Sequence, residues 1–136
     1  MSAKGNPLVL MLDDNRDALT TMKAAFEGLP MEIHAASTIG EAEGLLEEKT
    51  FDLAILDFYL PDGTSAKLAE DIKSARSDAA IVMVTGVTEE EDVSQSVDIV
   101  ADAYLPKPVS MDELIATVED LLSKQGRSRG SDSEGN

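Results

Sequence analysis

The 136-residue sequence predicts an α/β domain built on one parallel sheet with helices on both faces. Three observations predict it. Five short apolar segments recur, and each is followed by apolar residues at three-and-four spacing, which gives a helix one buried stripe. Segments one, three and four are continuously apolar, as strands buried on both faces are. The five units use about 120 residues, which leaves no room for a second domain. Crossovers between such strands are right-handed.

The elements follow in order. "LVLML" (Leu8–Leu12) is the first strand, and Leu19, Met22, Ala25 and Phe26 mark the helix after it. "MEIHAA" precedes a helix with Ile39, Ala42, Leu45 and Leu46. "DLAIL" precedes one with Leu68, Ala69, Ile72 and Ala75. "AAIVMV" precedes a weaker one with Val93, Val97 and Val100, entered through "TEEEDV", whose acids favour a helix N-terminus. "ADAYLP" precedes the fifth, with Met111, Leu114, Ile115, Val118, Leu121 and Leu122. The domain therefore spans residues 7–124, after a short extension at 1–6. Residues 125–136, "QGRSRGSDSEGN", are small, polar and aperiodic, and read as a disordered C-terminal tail.

Composition narrows the function. The chain has no cysteine, so disulfides and thiolate metal sites are excluded. No apolar run reaches the roughly 18 residues of a membrane span, and the apolar start is too short for a secretory signal. A soluble, cytoplasmic protein is expected. The net charge is −16, from 27 acids against 11 Lys plus Arg. That balance argues against direct binding to nucleic acid or to an anionic membrane, and fits a cation site or a basic partner. Most of the acids serve solubility.

Ligands of an open parallel sheet bind outside the carboxyl ends of its strands. The first strand is followed there by Asp13 and Asp14, the third ends on Asp57, and the fourth on Thr85 and Gly86. The fifth is followed by Lys107 between Pro106 and Pro108. Carboxylates about 4 Å apart repel by roughly 4 kcal/mol per pair at an effective dielectric near 20. Asp13, Asp14 and Asp57 thus call for a cation or for a raised pKa on one acid. All-oxygen donors suit Mg²⁺, with Mn²⁺ as the second candidate. Carboxylates, a divalent ion, Lys107 and the Thr85 hydroxyl together suit a phosphoryl group, and a carboxylate can be the nucleophile that takes it. Each residue alone has an ordinary explanation: an N-cap for the acid pair, a turn for Lys-Pro, a strand end for Thr85. Their coincidence on one sheet edge carries the reading. His34 has no second His or Cys nearby in sequence and reads as a packed or surface side chain.

In "LDDN", "ILDFYLPDG", "VMVTG" and "AYLPKP", spread over residues 7–124, the sequence resembles the response-regulator receiver domain of two-component signalling. The intervals of 28 residues from Asp57 to Thr85 and 22 from Thr85 to Lys107 are family-like. The resemblance implies a flavodoxin-like fold, a doubly wound five-stranded sheet of order 2-1-3-4-5 with five helices. It implies Asp57 as phosphoacceptor, with Mg²⁺ held by Asp13, Asp14 and Asp57 and by the backbone carbonyl of Tyr59. Thr85 and Tyr104 take the family's switch positions. Lys107 pairs with the phosphoryl oxygens, and the Lys107–Pro108 bond is expected to be cis. The donor is a histidine kinase or a His phosphotransfer protein, meeting a surface of Asn15, Arg16, Tyr59, Leu60 and Pro108. An unidentified downstream protein reads the surface of the fourth helix, fifth strand and fifth helix. The chain departs from the family in having Ser65 at a usual Gly, Gly86 after the switch Thr, and the large Tyr59 two residues after the acceptor.

The reading is of a signalling switch that catalyses only its own phosphoryl transfer and hydrolysis, as a monomer or a weak phosphorylation-linked dimer. The alternative is a docking module of the same fold that works without phosphorylation. A haloacid-dehalogenase-like phosphatase would need a D-x-D pattern after the first strand, where this chain has Asp13, Asp14 and Asn15. A flavodoxin-type cofactor binder would not place two acids where a phosphate must sit.

Overall fold

A computed structural model describes residues 6–86 and 101–133, with side chains as far as Gln125. The parallel strands are β1 (Leu8–Leu12), β2 (Glu32–Ala36), β3 (Leu53–Asp57), β6 (Ala80–Thr85) and β7 (Ala103–Pro106). They lie in the order β2-β1-β3-β6-β7, which is 2-1-3-4-5 counted along the chain. Between β3 and β6 comes a small antiparallel hairpin, β4 (Tyr59–Leu60) with β5 (Gly63–Thr64). The helices are α1 (Arg16–Ala25), α2 (Ile39–Glu48), α3 (Ala66–Ala75) and α4 (Met111–Ser133). The expected helix at Val93, Val97 and Val100, with Glu90 and Glu91, lies outside the described residues.

Strand residues alternate between two cores. Val9, Met11, Leu53, Ile55, Val82, Val84 and Leu105 pack on one face with Leu19 and Met22 of α1, Phe26 just after it, and Leu114 and Val118 of α4. Leu10, Leu12, Ala54, Leu56, Ile81 and Met83 pack on the other with Ala42 of α2 and Leu68, Ala69 and Ile72 of α3. Every residue of β3 and β6 is buried, which is why these segments read as unbroken apolar runs. Helix starts are set locally. The Asn15 side chain accepts the Ala18 N–H at 3.0 Å, and Thr38 Oγ1 accepts the Glu41 N–H at 3.0 Å.

The amino ends of the strands are tied together by polar groups. Asp52 Oδ2 accepts the Leu8 N–H at 2.7 Å, and Asp102 Oδ2 accepts the Ile81 N–H at 2.7 Å. Arg76 pairs with Asp52 and Asp78, and Lys73 with Asp102. The tail boundary needs correction here. Gln125, placed in the tail by its polarity, is buried at 7% exposure. Its Nε2 donates to the carbonyls of Asp52 and Asp78, both at 2.7 Å. It lies seven residues after Val118, on the same helical stripe, so an apolar count misses it although its position fits. The backbone stays helical to Ser133. His34 contacts Glu32 at 2.7 Å and packs edge-on against Phe51, a structural role.

Gln125→Ala removes two hydrogen bonds at the sheet's amino end, although the Asp52 carbonyl keeps the Ala80 N–H at 3.0 Å. Urea unfolding of this variant should give a stability lower by about 2 kcal/mol, and an unchanged midpoint would show the contact to be idle.

Candidate functional site

Three rows of the α1/α4 face run into the sheet's carboxyl edge and change character there. Val9 and Met11 lead to Asp13, Leu53 and Ile55 to Asp57, and Ala103 and Leu105 to Lys107. Two-residue alternation thus aims two carboxylates and an ammonium group to one side of the sheet. Lys107 Nζ donates to Asp57 Oδ2 at 2.9 Å and stands 4.0 Å from Asp13 Oδ2. Asp14 joins them: carboxylate oxygens of Asp13, Asp14 and Asp57 all lie within 4.8 Å of one another. Asp13 and Asp57 are buried and Asp14 is exposed.

The supporting bonds are made by backbone. The Asp13 N–H donates to the Ala36 carbonyl, and Asp13 Oδ1 accepts the Asn15 N–H at 2.9 Å, which orients the carboxylate as α1 begins. The Lys107 N–H donates to the Thr85 carbonyl at 2.7 Å. The Lys107–Pro108 bond is cis.

Electrostatics make Asp57 unusual. Its pKa is raised from 3.8 to about 6, first by burial. Lys107 opposes the rise through its hydrogen bond and charge, while Asp13 and Asp14 add to it. One ammonium group therefore does not neutralise the cluster. Three clustered oxygens from hard carboxylates are a donor set that fits Mg²⁺ or Mn²⁺.

The remaining expected residues fall in different places. Thr85 continues the opposite row, after Ile81 and Met83, and is 1% exposed. Among the described residues, no group is within hydrogen-bond reach of its Oγ1. Tyr104 pairs in register with Met83, so it shares that face, and it is 40% exposed. Asn15, Arg16, Tyr59 and Pro108 are exposed around the edge. Leu60 is not, and its assignment to the partner surface is corrected. It is 9% exposed and belongs to the α2/α3 core, because hairpin alternation turns Tyr59 outward and Leu60 inward.

Sequence reasoning also missed a cleft of about 590 Å³ beside the acids, walled by Ala18, Met22, Val109 and Met111. Ser65, which the sequence marks only as a departure from the family, is fully buried at the start of α3, and its hydroxyl meets Met83 Sδ at 3.5 Å. The spacing of either from Asp57 carries no periodic signal, since the intervening chain is loop or hairpin.

Comparison with known proteins gives a consistent result. The family model for the response regulator receiver domain matches residues 9–119. A Haloferax volcanii protein described as a transcriptional regulator is 33% identical over 123 residues, 90% of this chain and 20% of that protein. The regulatory protein VanRB of Enterococcus faecalis is 30% identical, over 87% of this chain and 53% of its own length. The chain thus spans from a fifth to about half of these relatives. A CheY-like receiver domain protein from Methanospirillum hungatei superposes with a TM-score of 0.82 at 31% identity, covering 91% of this chain and 99% of that one.

Because folding raises the Asp57 pKa, the folded chain holds that proton more tightly than the unfolded chain. The stabilising contribution is complete below 3.8 and is lost as pH rises through about 6. With chelator present, Asp57→Asn should therefore be more stable than the parent at about pH 7.5, by on the order of 2 kcal/mol. The difference should shrink as pH falls from about 6 towards 4. Melting curves across that range that stay a constant distance apart would contradict it.

Proposed function

The chain belongs to the response regulator receiver family, and we propose that it is a phosphoacceptor switch in which Asp57 takes a phosphoryl group from a phospho-His partner. The observation that carries this reading is Asp57 itself: buried at a strand tip, 2.9 Å from an ammonium group and beside two further carboxylates. A carboxylate with a pKa near 6 is ionised at neutral pH and remains a competent nucleophile.

An Asp57 oxygen attacks phosphorus in line with the leaving imidazole. The new P–O bond forms as the P–N bond breaks, and the imidazole nitrogen keeps the bonding electron pair. Asp13, Asp14 and Asp57, with the Tyr59 carbonyl, would hold Mg²⁺, or Mn²⁺ in its place. When bound, the ion supplies charge neutralisation for the phosphoryl oxygens. Lys107 exchanges its contact with Asp57 for one with a phosphoryl oxygen. The donor, a histidine kinase or His phosphotransfer protein, approaches over Asn15, Arg16, Tyr59 and Pro108.

Readout passes through Thr85. A buried hydroxyl that has no partner among the described residues favours any state that brings it an acceptor, and a phosphoryl oxygen is one. Its movement leaves room for Tyr104, on the same face, to turn inward. The surface around β7 and the start of α4 then differs for a downstream protein, or for a second copy in a weak phosphorylation-linked dimer. The chain works in the cytoplasm, contacts neither nucleic acid nor membrane directly, and turns over only its own phosphoryl group. Among the described residues no helix is long and apolar enough to cross a membrane.

Incubation with acetyl phosphate or phosphoramidate and Mg²⁺ should add one phosphoryl group by intact mass, and Asp57→Asn should abolish the gain. No gain from these donors or from any phospho-His protein would favour the docking module that works without phosphorylation. Tyr59, 40% exposed two residues after the acceptor, shields the phosphoryl group from water. Tyr59→Asn should lose its label several-fold faster than the parent; equal decay rates would remove the shielding role.

A further inference from the structure

The β4–β5 hairpin joins Asp57 to α3 and carries the Tyr59 carbonyl. It has two residues per strand and two in its turn, Pro61 and Asp62. A hairpin of that size does not hold its shape in water unaided. Its base is fixed: Leu60 is in the core, and the Ser65 N–H donates to the Phe58 carbonyl at 3.0 Å. The helix that follows gives little further support, because Ser65 makes no side-chain cap for α3. The tip is held from elsewhere. Asp62 Oδ1 accepts the Ile39 N–H and Asp62 Oδ2 accepts the Gly40 N–H, both at 3.3 Å. These are the first two amides of α2, at the positive end of its dipole. Gly63, at φ +136°, lies against Ile39, where a Cβ would meet Ile39 Cδ1 at 3.6 Å.

Thr38 already caps α2 through the Glu41 N–H, and Glu41 Oε1 accepts the Ser37 N–H at 2.7 Å. The helix start is therefore satisfied without Asp62 as its principal cap. What Asp62 adds is a tie between two loops: the one after β3, which carries Tyr59, and the one after β2. The second loop begins at Ala36, whose carbonyl receives the Asp13 N–H. The tie thus spans from the backbone behind one carboxylate to the backbone after another.

We infer that Asp62 is a positioning residue for the cation site, holding the hairpin so that the Tyr59 carbonyl stays in register with Asp13, Asp14 and Asp57. The inference rests on the proposed reading of that cluster as a Mg²⁺ site with the Tyr59 carbonyl as one of its ligands. Bonds from an outer group that orient a ligand are typically worth 10–100-fold in metal affinity. Asp62 bonds to backbone and touches no ligand directly, so its removal falls near the lower end.

The test uses the full chain, unphosphorylated, with Mg²⁺ titrated by calorimetry and by backbone amide NMR. Asp62→Ala should weaken Mg²⁺ about 10-fold; the Ile39 and Gly40 amides should shift on Mg²⁺ addition in the parent and not in the variant. Asp62→Asn, which retains an acceptor, should fall between the two. Thr38→Ala supplies the control, since it weakens the same helix start without touching the hairpin. It should lower Tm yet leave Mg²⁺ affinity within twofold of the parent. Parental affinity in Asp62→Ala overturns the inference while leaving the site intact. So does an Asn variant as weak as the Ala one, because charge alone would then explain the loss. If the parent itself binds no Mg²⁺, the reading of the acid cluster fails first and this inference with it.

Discussion

The contact between Lys107 Nζ and Asp57 Oδ2 at 2.9 Å governs the organisation of the carboxyl edge of the sheet. Three carboxylates stand within reach of one another, and among the described residues a single ammonium group pairs with them. At roughly 4 kcal/mol per like-charged pair at an effective dielectric near 20, no flexible loop would keep such a group assembled. The fold holds it from the middle instead. β3 is buried throughout its length between β1 and β6, and Asp57 is its last residue. Burial that holds Asp57 in place also raises its pKa to about 6, so its fixed position and its hold on a proton have the same origin.

Acidic residues do different work at the two ends of the same strands. At the amino ends Asp52 and Asp102 are each satisfied, accepting a strand N–H and pairing with a nearby cation. At the carboxyl ends Asp13, Asp14 and Asp57 share one cation and face one another. A satisfied carboxylate fixes structure, and one left in excess invites a ligand. Net charge does not separate the two uses; the count of partners does.

Residues within regular elements were legible in the sequence. The two-residue period runs through Val9, Met11 and Asp13 and through Leu53, Ile55 and Asp57, so the positions of the acids followed once the strands were found. The sheet order came from the family resemblance, and the coordinates have it. The errors lie where the period is reset or carried by an unexpected residue. Leu60 was taken for surface because the hairpin that turns it inward has only two residues per strand. Gln125 was taken for tail because a polar side chain occupies an apolar stripe position and is satisfied by two carbonyls 73 and 47 residues away in sequence. The tie from Asp62 to the start of α2 spans 22 and 23 residues, and no local pattern announces it.

The Thr85 hydroxyl, which has no partner among the described residues, bears on how sharply the domain can respond. A buried polar group without a partner costs on the order of 1–3 kcal/mol. That amount is present in the ground state and vanishes in any conformer where the hydroxyl finds an acceptor. Expressed as an equilibrium, it is a bias of about 5- to 150-fold between two arrangements of the β6 end. On the proposed reading, a side chain of three heavy atoms, sealed at 1% exposure, sets how far a single covalent event at the neighbouring strand moves the population.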